Sequence, residues 1–186
     1  MYKQCKTEES SQRQRNMELG LLQMMLSKPY EDISISDLCD QLQIPRKSFY
    51  RYFSGKDGCL YALLDHTMME FFEEGADAFG LSGGTALGDL ERFFSFWRNH
   101  AELLGALQRN NLSGILVERA ISLSQRERLM PTYIRTWTQE LQELAMAFAV
   151  SGLFSMVIRW HTQGFQTPAS EMTRIAVTVL TRPLLQ

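Results

Sequence analysis

The chain predicts an all-α fold, with a small three-helix head joined by a long helix to a larger helical body. Three observations point there. Apolar residues recur at the helical spacing of three and four along nearly the whole chain. No stretch alternates strictly between glycine-flanked turns, as a half-buried strand would. Finally, breaks at Lys28-Pro29, Pro45, residues 81–89, Pro131 and Thr167-Pro168 cut the pattern into helix-sized pieces. With 186 residues and 45% apolar content, the chain can bury one good core, or a small head and a larger body. It shows no internal repeat.

The first helix is expected over about 11–27, where Met17, Leu21, Leu22, Met24, Met25 and Leu26 form a broad apolar face that stops before Pro29. Ser34 is a good N-cap with Asp37 three residues later, a shortened capping box opening a helix whose Ile35, Leu38, Cys39 and Leu42 face inward. Pro45 opens the next helix, at a position where its missing amide proton costs nothing. Phe49 and Phe53 form that helix's inner face, and Ile44 packs the turn before it. A longer helix should start near Gly55 or Lys56 and reach about Phe79, with Leu60, Leu63, Leu64, Met68, Phe71 and Phe72 as its stripe. Residues 81–89, LSGGTALGD, form the clearest linker, followed by two shorter helices on either side of His100 and another over 113–124. The pattern from Pro131 to Phe165 is too long to run unbroken with Gly152 inside it. A last helix is expected from Thr167-Pro168 to about Thr181, before Pro183. The domains expected are 1–55, the head, and 56–186, the body.

Charge is distributed unevenly. The formal net charge is -2, yet all five lysines fall in the first 56 residues, while ten arginines face thirteen acids from Tyr61 onward. A protein that binds polyanions over its whole surface is excluded, but one with a local basic patch is not. No run approaches the ~20 apolar residues of a membrane span, and the first fifteen residues lack the apolar core of a secretory signal, so a cytoplasmic protein without membrane partners is expected. Cys5, Cys39 and Cys59 are odd in number and show no metal spacing, so neither a disulfide framework nor a metal site is expected, and no cofactor. Paired carboxylates, a nucleophile beside a base and a phosphate loop are all missing from the pattern, which leaves an enzyme the least supported class.

The informative stretch is Ser34 to Lys56, SISDLCDQLQIPRKSFYRYFSGK. Two short helices with a tight break between them are what a helix-turn-helix reader of DNA requires. Residues 41–56 carry Arg46, Lys47, Arg51 and Lys56 and no acid. The stretch resembles the DNA-binding head of the TetR/AcrR family of transcriptional regulators. The resemblance rests on the Ser34 cap, the Leu38-Cys39 pair, Ile44 in the turn, and Tyr50, Phe53 and Lys56 at the family's offsets. Gln43 stands where the family has glycine, Pro45 replaces its serine cap, and Cys39 replaces a small alanine. If Gln43 has positive φ, it bears a strain of about 1 kcal/mol or more.

Physical chemistry divides the stretch into two tasks. Arg46, Lys47 and Ser48 lie at the start of the groove helix and are the candidates for reading base edges. Tyr50, Arg51, Tyr52 and Lys56, with Ser34 at its helix start, are the candidates for phosphate contacts. One head makes few such contacts, so a homodimer on a pseudo-palindromic double-stranded operator is expected. The two C-terminal helices are the candidate interface, through Phe154, Val157, Trp160, Phe165, Ile175 and Val179; SGLFSMVIRWHTQGF is similar to the closing helices of some family members. The resemblance also implies a body that binds a small apolar or amphipathic effector, for which Met68, Phe72, Phe94, Trp97, Tyr133 and Trp137 are the candidate lining. The resulting expectation is a ligand-released repressor. The alternative is a helical protein-interaction module that keeps the fold without reading DNA.

Overall fold

The computed structural model describes residues 1–73, 86–126 and 135–182, and among these nine α-helices account for nearly all the regular structure. They are α1 (Glu8–Ser27), α2 (Ile35–Gln41), α3 (Arg46–Tyr50), α4 (Lys56–Glu73), α5 (Ala86–Asn99), α6 (Ala101–Arg109), α7 (Ser113–Arg126), α8 (Gln139–Thr162) and α9 (Ala169–Thr181). The only β pairing among the described residues is one antiparallel bridge between Tyr2 and Phe53. The chain divides into two compact units. The head comprises residues 1–67 and 105–112, the body residues 68–104 and 113–186. Of the three crossings between them, two fall inside helices, α4 and α6, and the third just before α7.

In the head, α1 packs on α2 and α2 on α3. Met17, Leu21 and Met25 from α1 are buried, as are Leu38 and Cys39, Phe49 and Phe53, and Leu60, Leu63 and Leu64 from α4. This is the core the spacing predicts, with Ile35, Leu42 and Leu26 only half-buried. Gly20 permits the close approach of α1 and α2, since a Cβ there would lie 3.0 Å from both Leu42 methyl carbons. Glu18, fully buried, accepts from His66 Nδ1 at 2.9 Å and from Arg15 Nη1 at 3.2 Å, which offsets the cost of burying its charge.

Three helices end in the same way. The Ile44 amide donates to the Cys39 carbonyl at 3.0 Å and the Gln43 amide to that of Asp40 at 3.2 Å, the bond pair of a Schellman motif closing α2. The same pair of bonds closes α6 at Asn111 and Leu112, and α8 at Gly164 and Phe165. The motif requires a left-handed residue, and φ is 54° at Gln43, 56° at Asn111 and 69° at Gly164. Only α8 uses glycine for it, so the strain foreseen at Gln43 is present.

The body is built around edge-to-face aromatic contacts. Phe71 at the end of α4 meets Phe93 and Phe96 of α5 edge-on, Trp97 and Phe93 meet Phe154 of α8, and Phe94 meets Trp160. Such pairs contribute about 0.5–1.5 kcal/mol each beyond area burial. α5 packs on α9 and α7 on α8.

Several boundaries differ from expectation. α1 begins at Glu8, three residues early, because Thr7 caps it by accepting from the Ser10 amide. Residues 86–89 of the expected linker are already helical, opening α5, while 81–85 lie outside the described residues, as do the expected helix end near Phe79 and the break at Pro131. The long pattern from Pro131 to Phe165 is interrupted before Gln139, where α8 begins, and α8 then runs through Gly152; that glycine is solvent-exposed, so its cost of about 1 kcal/mol is the ordinary helix penalty. α8 is also long and apolar enough to cross a membrane by length and composition, which the sequence reading had denied of every segment. It passes because its few charges lie near its two ends.

Replacing Gln43 with glycine should relieve the left-handed strain and raise the urea midpoint of the full chain, by about 0.5–1 kcal/mol of stability. A lower midpoint would mean that Gln43 makes contacts worth more than its strain.

Candidate nucleic-acid interface

The interface is built from α2, its Schellman turn and α3. Ser34 caps α2, accepting from the Asp37 amide at 3.0 Å while its own amide donates to the Asp37 carboxylate at 3.2 Å, so the shortened capping box forms. Lys28 donates to Asp37 Oδ2 at 2.8 Å. That bond, followed by those from Ser34, holds the Asp37 carboxyl below the usual range. The cap is therefore fully formed above the ordinary aspartate pKa and weakens as pH falls through the lowered value. Ser34 already spends its hydroxyl on the cap, and the exposed residue still lies at a helix start.

Pro45 is the N-cap of α3 rather than its first helical residue, with φ -64° and ψ 139°, and its carbonyl accepts from the Ser48 amide at 2.8 Å. Extended backbone suits proline there. Arg46 and Lys47 follow at the helix start, both exposed, with Ser48 half-buried. Arg46 Nη2 lies 3.5 Å from the Tyr50 hydroxyl, one helical turn away, and this contact holds its guanidinium pKa above the ordinary value. Tyr50 is exposed while its ring packs edge-on against the buried Phe49. Arg51 is exposed just beyond the helix. Arg46, Lys47, Tyr50 and Arg51 thus share one small exposed surface without a carboxylate ion pair among the described residues.

Two phosphate candidates are placed otherwise. Tyr52 is buried at 5% exposure, its ring against Phe53, with its hydroxyl 3.5 Å from Ser10 Oγ. Lys56 turns inward: its ammonium donates to the carbonyls of Tyr30, Ile33 at 2.8 Å and Glu31 at 3.4 Å, and lies 4.3 Å above the Tyr30 ring. The carbonyls of the turn between α1 and α2 compete successfully for that charge because they are fixed and close. Tyr30 itself, missed in the sequence, donates its hydroxyl to Asp57 at 2.7 Å and its amide to Asn110 Oδ1. Burial, then Asp57, pushes its phenol pKa up. No local signal reveals this, since Asn110 is eighty residues away.

In the body, Phe154, Val157 and Trp160 are buried, which corrects the expectation that they face a second subunit: their rings and methyls fill the body's own core. Phe165 is half-buried beneath Trp160, while Ile175 and Val179 are exposed. The sequence reading missed Leu141, Leu144 and Phe148, which lie exposed on one face of α8, Phe148 at 70%. Of the pocket candidates, Met68, Phe94 and Trp97 are buried in the aromatic core and Phe72 is half-buried. Trp137 is exposed before α8, and Tyr133 lies outside the described residues. All three cysteines are free thiols, and among the described residues no three His, Cys, Asp or Glu side chains are grouped to hold a metal ion.

A capped helix, a Schellman turn and a short helix that presents bare basic side chains define a helix-turn-helix head of the DNA-binding kind. Residues 21–63 match the family described as bacterial regulatory proteins, tetR family. Over those residues the chain matches the head of that family, and the whole chain shares a fold with several solved structures. Three solved structures show the likeness. A fatty acid degradation regulator, FadR, from Bacillus halodurans aligns with a TM-score of 0.62 at 14% identity, covering 97% of this chain and 98% of that one. The dihydroxyacetone kinase operon activator DhaS aligns with a TM-score of 0.58 at 15% identity, over 90% and 93%. The TetR family repressor AlkX from Dietzia sp. strain DQ12-45-1b, implicated in biodegradation of n-alkanes, gives 0.55 at 19% identity, over 89% and 92%. At these identities the likeness is one of fold. No curated protein matches the chain significantly by sequence.

Lys56→Gln should destabilise the chain by about 1–3 kcal/mol in urea unfolding, because it strands carbonyls in the Tyr30 turn. In DNA binding, its salt dependence should equal that of the wild type. A slope lower by about one charge with unchanged stability would instead make Lys56 a phosphate contact.

Proposed function

We propose that the protein is a dimeric transcriptional repressor that reads a pseudo-palindromic operator with α3 and is released by a small apolar or amphipathic effector. The observation that carries the reading is the surface of Arg46, Lys47, Tyr50 and Arg51, exposed, basic and, among the described residues, without a carboxylate ion pair, at the second helix of a head that matches the tetR family. A groove-bound helix offers the side chains at its start to base edges, where arginine bonds guanine bidentately and lysine does so less directionally. Tyr50 and Arg51 then hold the backbone on the flank. The protein works in the cytoplasm, where its operator is.

Dimerisation is supported by the face that α8 and α9 leave uncovered. Leu141, Leu144 and Phe148 on α8 and Ile175, Val179 and Leu180 on α9 are exposed apolar side chains, and a second copy supplies the same two helices by symmetry. That need also accounts for the apolar composition of α8 without a bilayer. An apolar effector is supported by the fatty-acid and n-alkane contexts named for FadR and AlkX. α4 and α6 are each shared between the two units, so a change in the body reaches the head along continuous helices. The effector lowers DNA affinity by its differential affinity for the two arrangements, and by no more.

Selection of duplexes from a random-sequence library should enrich a two-fold motif. Arg46→Ala and Lys47→Ala should each weaken binding to it roughly 10- to 100-fold and relax the preference at one position per half-site. If the double variant enriches the same motif with the same affinity, α3 does not read the bases. Leu144→Asp with Phe148→Asp should convert the dimer to monomer in sedimentation and weaken operator binding on the order of 100-fold through lost bivalency. A variant that still sediments as a dimer places the interface elsewhere.

A further inference from the structure

Residues 1–6 run as a strap across the end of the recognition helix. The Lys3 amide donates to the Tyr52 carbonyl at 2.9 Å, and the Ser54 amide to that of Met1 at 3.1 Å, on either side of the Tyr2–Phe53 bridge. Side chains fasten it further. Tyr2 donates its hydroxyl to the buried Asp65 at 2.6 Å, and Cys5 donates to Gln14 Oε1 at 2.7 Å. Gly58 is the floor under the first residue: a Cβ there would lie 2.5 Å from the Met1 carbonyl oxygen.

Between the strap, the start of α1 and the end of α3 lies a cleft of roughly 340 Å³. Lys3, Lys6 and Arg51 line it, with Thr7, Ser10 and Tyr52, and no acidic side chain is among its lining residues. All three cations are exposed and none has an ion pair among the described residues. The nearest acids in sequence, Glu8 and Glu9, are exposed, and Glu9 is paired with Arg13. Three cations without ion pairs among the described residues, with the Thr7 and Ser10 hydroxyls beside them around a concave site, have the chemistry of a phosphate receptor. Arg51 lies five residues beyond Arg46, about 7 Å along the helix axis, so a groove-bound α3 brings the cleft to the flanking strand.

The geometry points to this cleft as a phosphate-binding site for the DNA backbone, with Lys3 and Lys6 delivered to it by the strap beside Arg51. The inference rests on the DNA-reading role proposed for α3, and extends it to a segment outside the helix-turn-helix. The strap's contribution is to position. Its charges add affinity and salt dependence without sequence information.

The test is a salt titration of binding to a duplex enriched by the wild-type chain. Lys3→Gln with Lys6→Gln should lower the slope of log affinity against log salt by about 1 to 2, near 0.9 per phosphate released, while the enriched motif stays the same. Gly58→Ala removes no charge but displaces the strap, and should lower the slope in the same direction with the chain still folded by circular dichroism. A double lysine variant with the wild-type slope overturns the site. Inorganic phosphate, titrated without DNA, separates the two sources of this chemistry. Tight uptake that depends on Lys3 and Lys6, together with a wild-type DNA slope, would assign the cleft to a free anion and overturn the backbone role. Failure of the underlying reading looks different: the wild type would then enrich no motif, or Arg46→Ala with Lys47→Ala would enrich the same one.

Discussion

The head depends on the way Tyr30 is held. This residue lies in the short turn between α1 and α2, and each of its polar groups is taken by a different part of the head: the amide by Asn110, the carbonyl by Lys56 and the hydroxyl by Asp57. The Lys56 ammonium also lies over its ring. A turn of this kind exposes several backbone carbonyls that no helix satisfies, and a fixed ammonium satisfies three of them at once. The start of α4 is thereby tied to the start of α2, and α2 in turn sets where α3 points. Lys56 spends its ammonium on this turn, which is why a conspicuous lysine of the basic stretch belongs to the framework.

Between α2 and α3 the constraint is a backbone one. A Schellman closure needs a left-handed residue, and in this chain the side chain of Gln43 tolerates it. The reward is a turn in which the Gln43 and Ile44 amides both find carbonyls, with Pro45 then fixing the entry to α3. Phe49 and Phe53 fasten that short helix from below. Five residues make too short a helix to be stable by themselves, so the exposed side chains of Arg46, Lys47 and Tyr50 owe their placement to the core beneath them.

The body follows a different logic. Its interior is a set of edge-to-face aromatic contacts contributed by α4, α5 and α8, and these consume side chains that a linear reading assigns to pockets or interfaces. Helix α8 is apolar on more than one face, because one side enters this core through Phe154, Val157 and Trp160 while another, with Leu144 and Phe148, remains uncovered. In the proposed regulator the uncovered face meets its counterpart in a second copy. That division of labour explains why the helix is apolar enough to resemble a membrane span.

The amino-acid sequence by itself determined the all-α class, the Ser34 cap with Asp37, the inward Phe49 and Phe53, and the exposed basic start of α3. These follow from interactions within a few residues: helical periodicity, cap geometry, and proline at a helix start. It also determined that a left-handed Gln43 would be strained, though only the structure showed that φ is positive. What the tertiary structure alone decided was the use of groups whose partners are distant in sequence. Lys56 reaches back to a turn more than twenty residues earlier, Asn110 to Tyr30 across eighty, and the strap to Phe53 across fifty-one. On α8, the sequence pattern alone could not separate the core side from the open side, because both are lined by large apolar residues. Which of two equivalent faces is covered depends on where α5, α7 and α9 pack, and that is fixed only when the whole body folds.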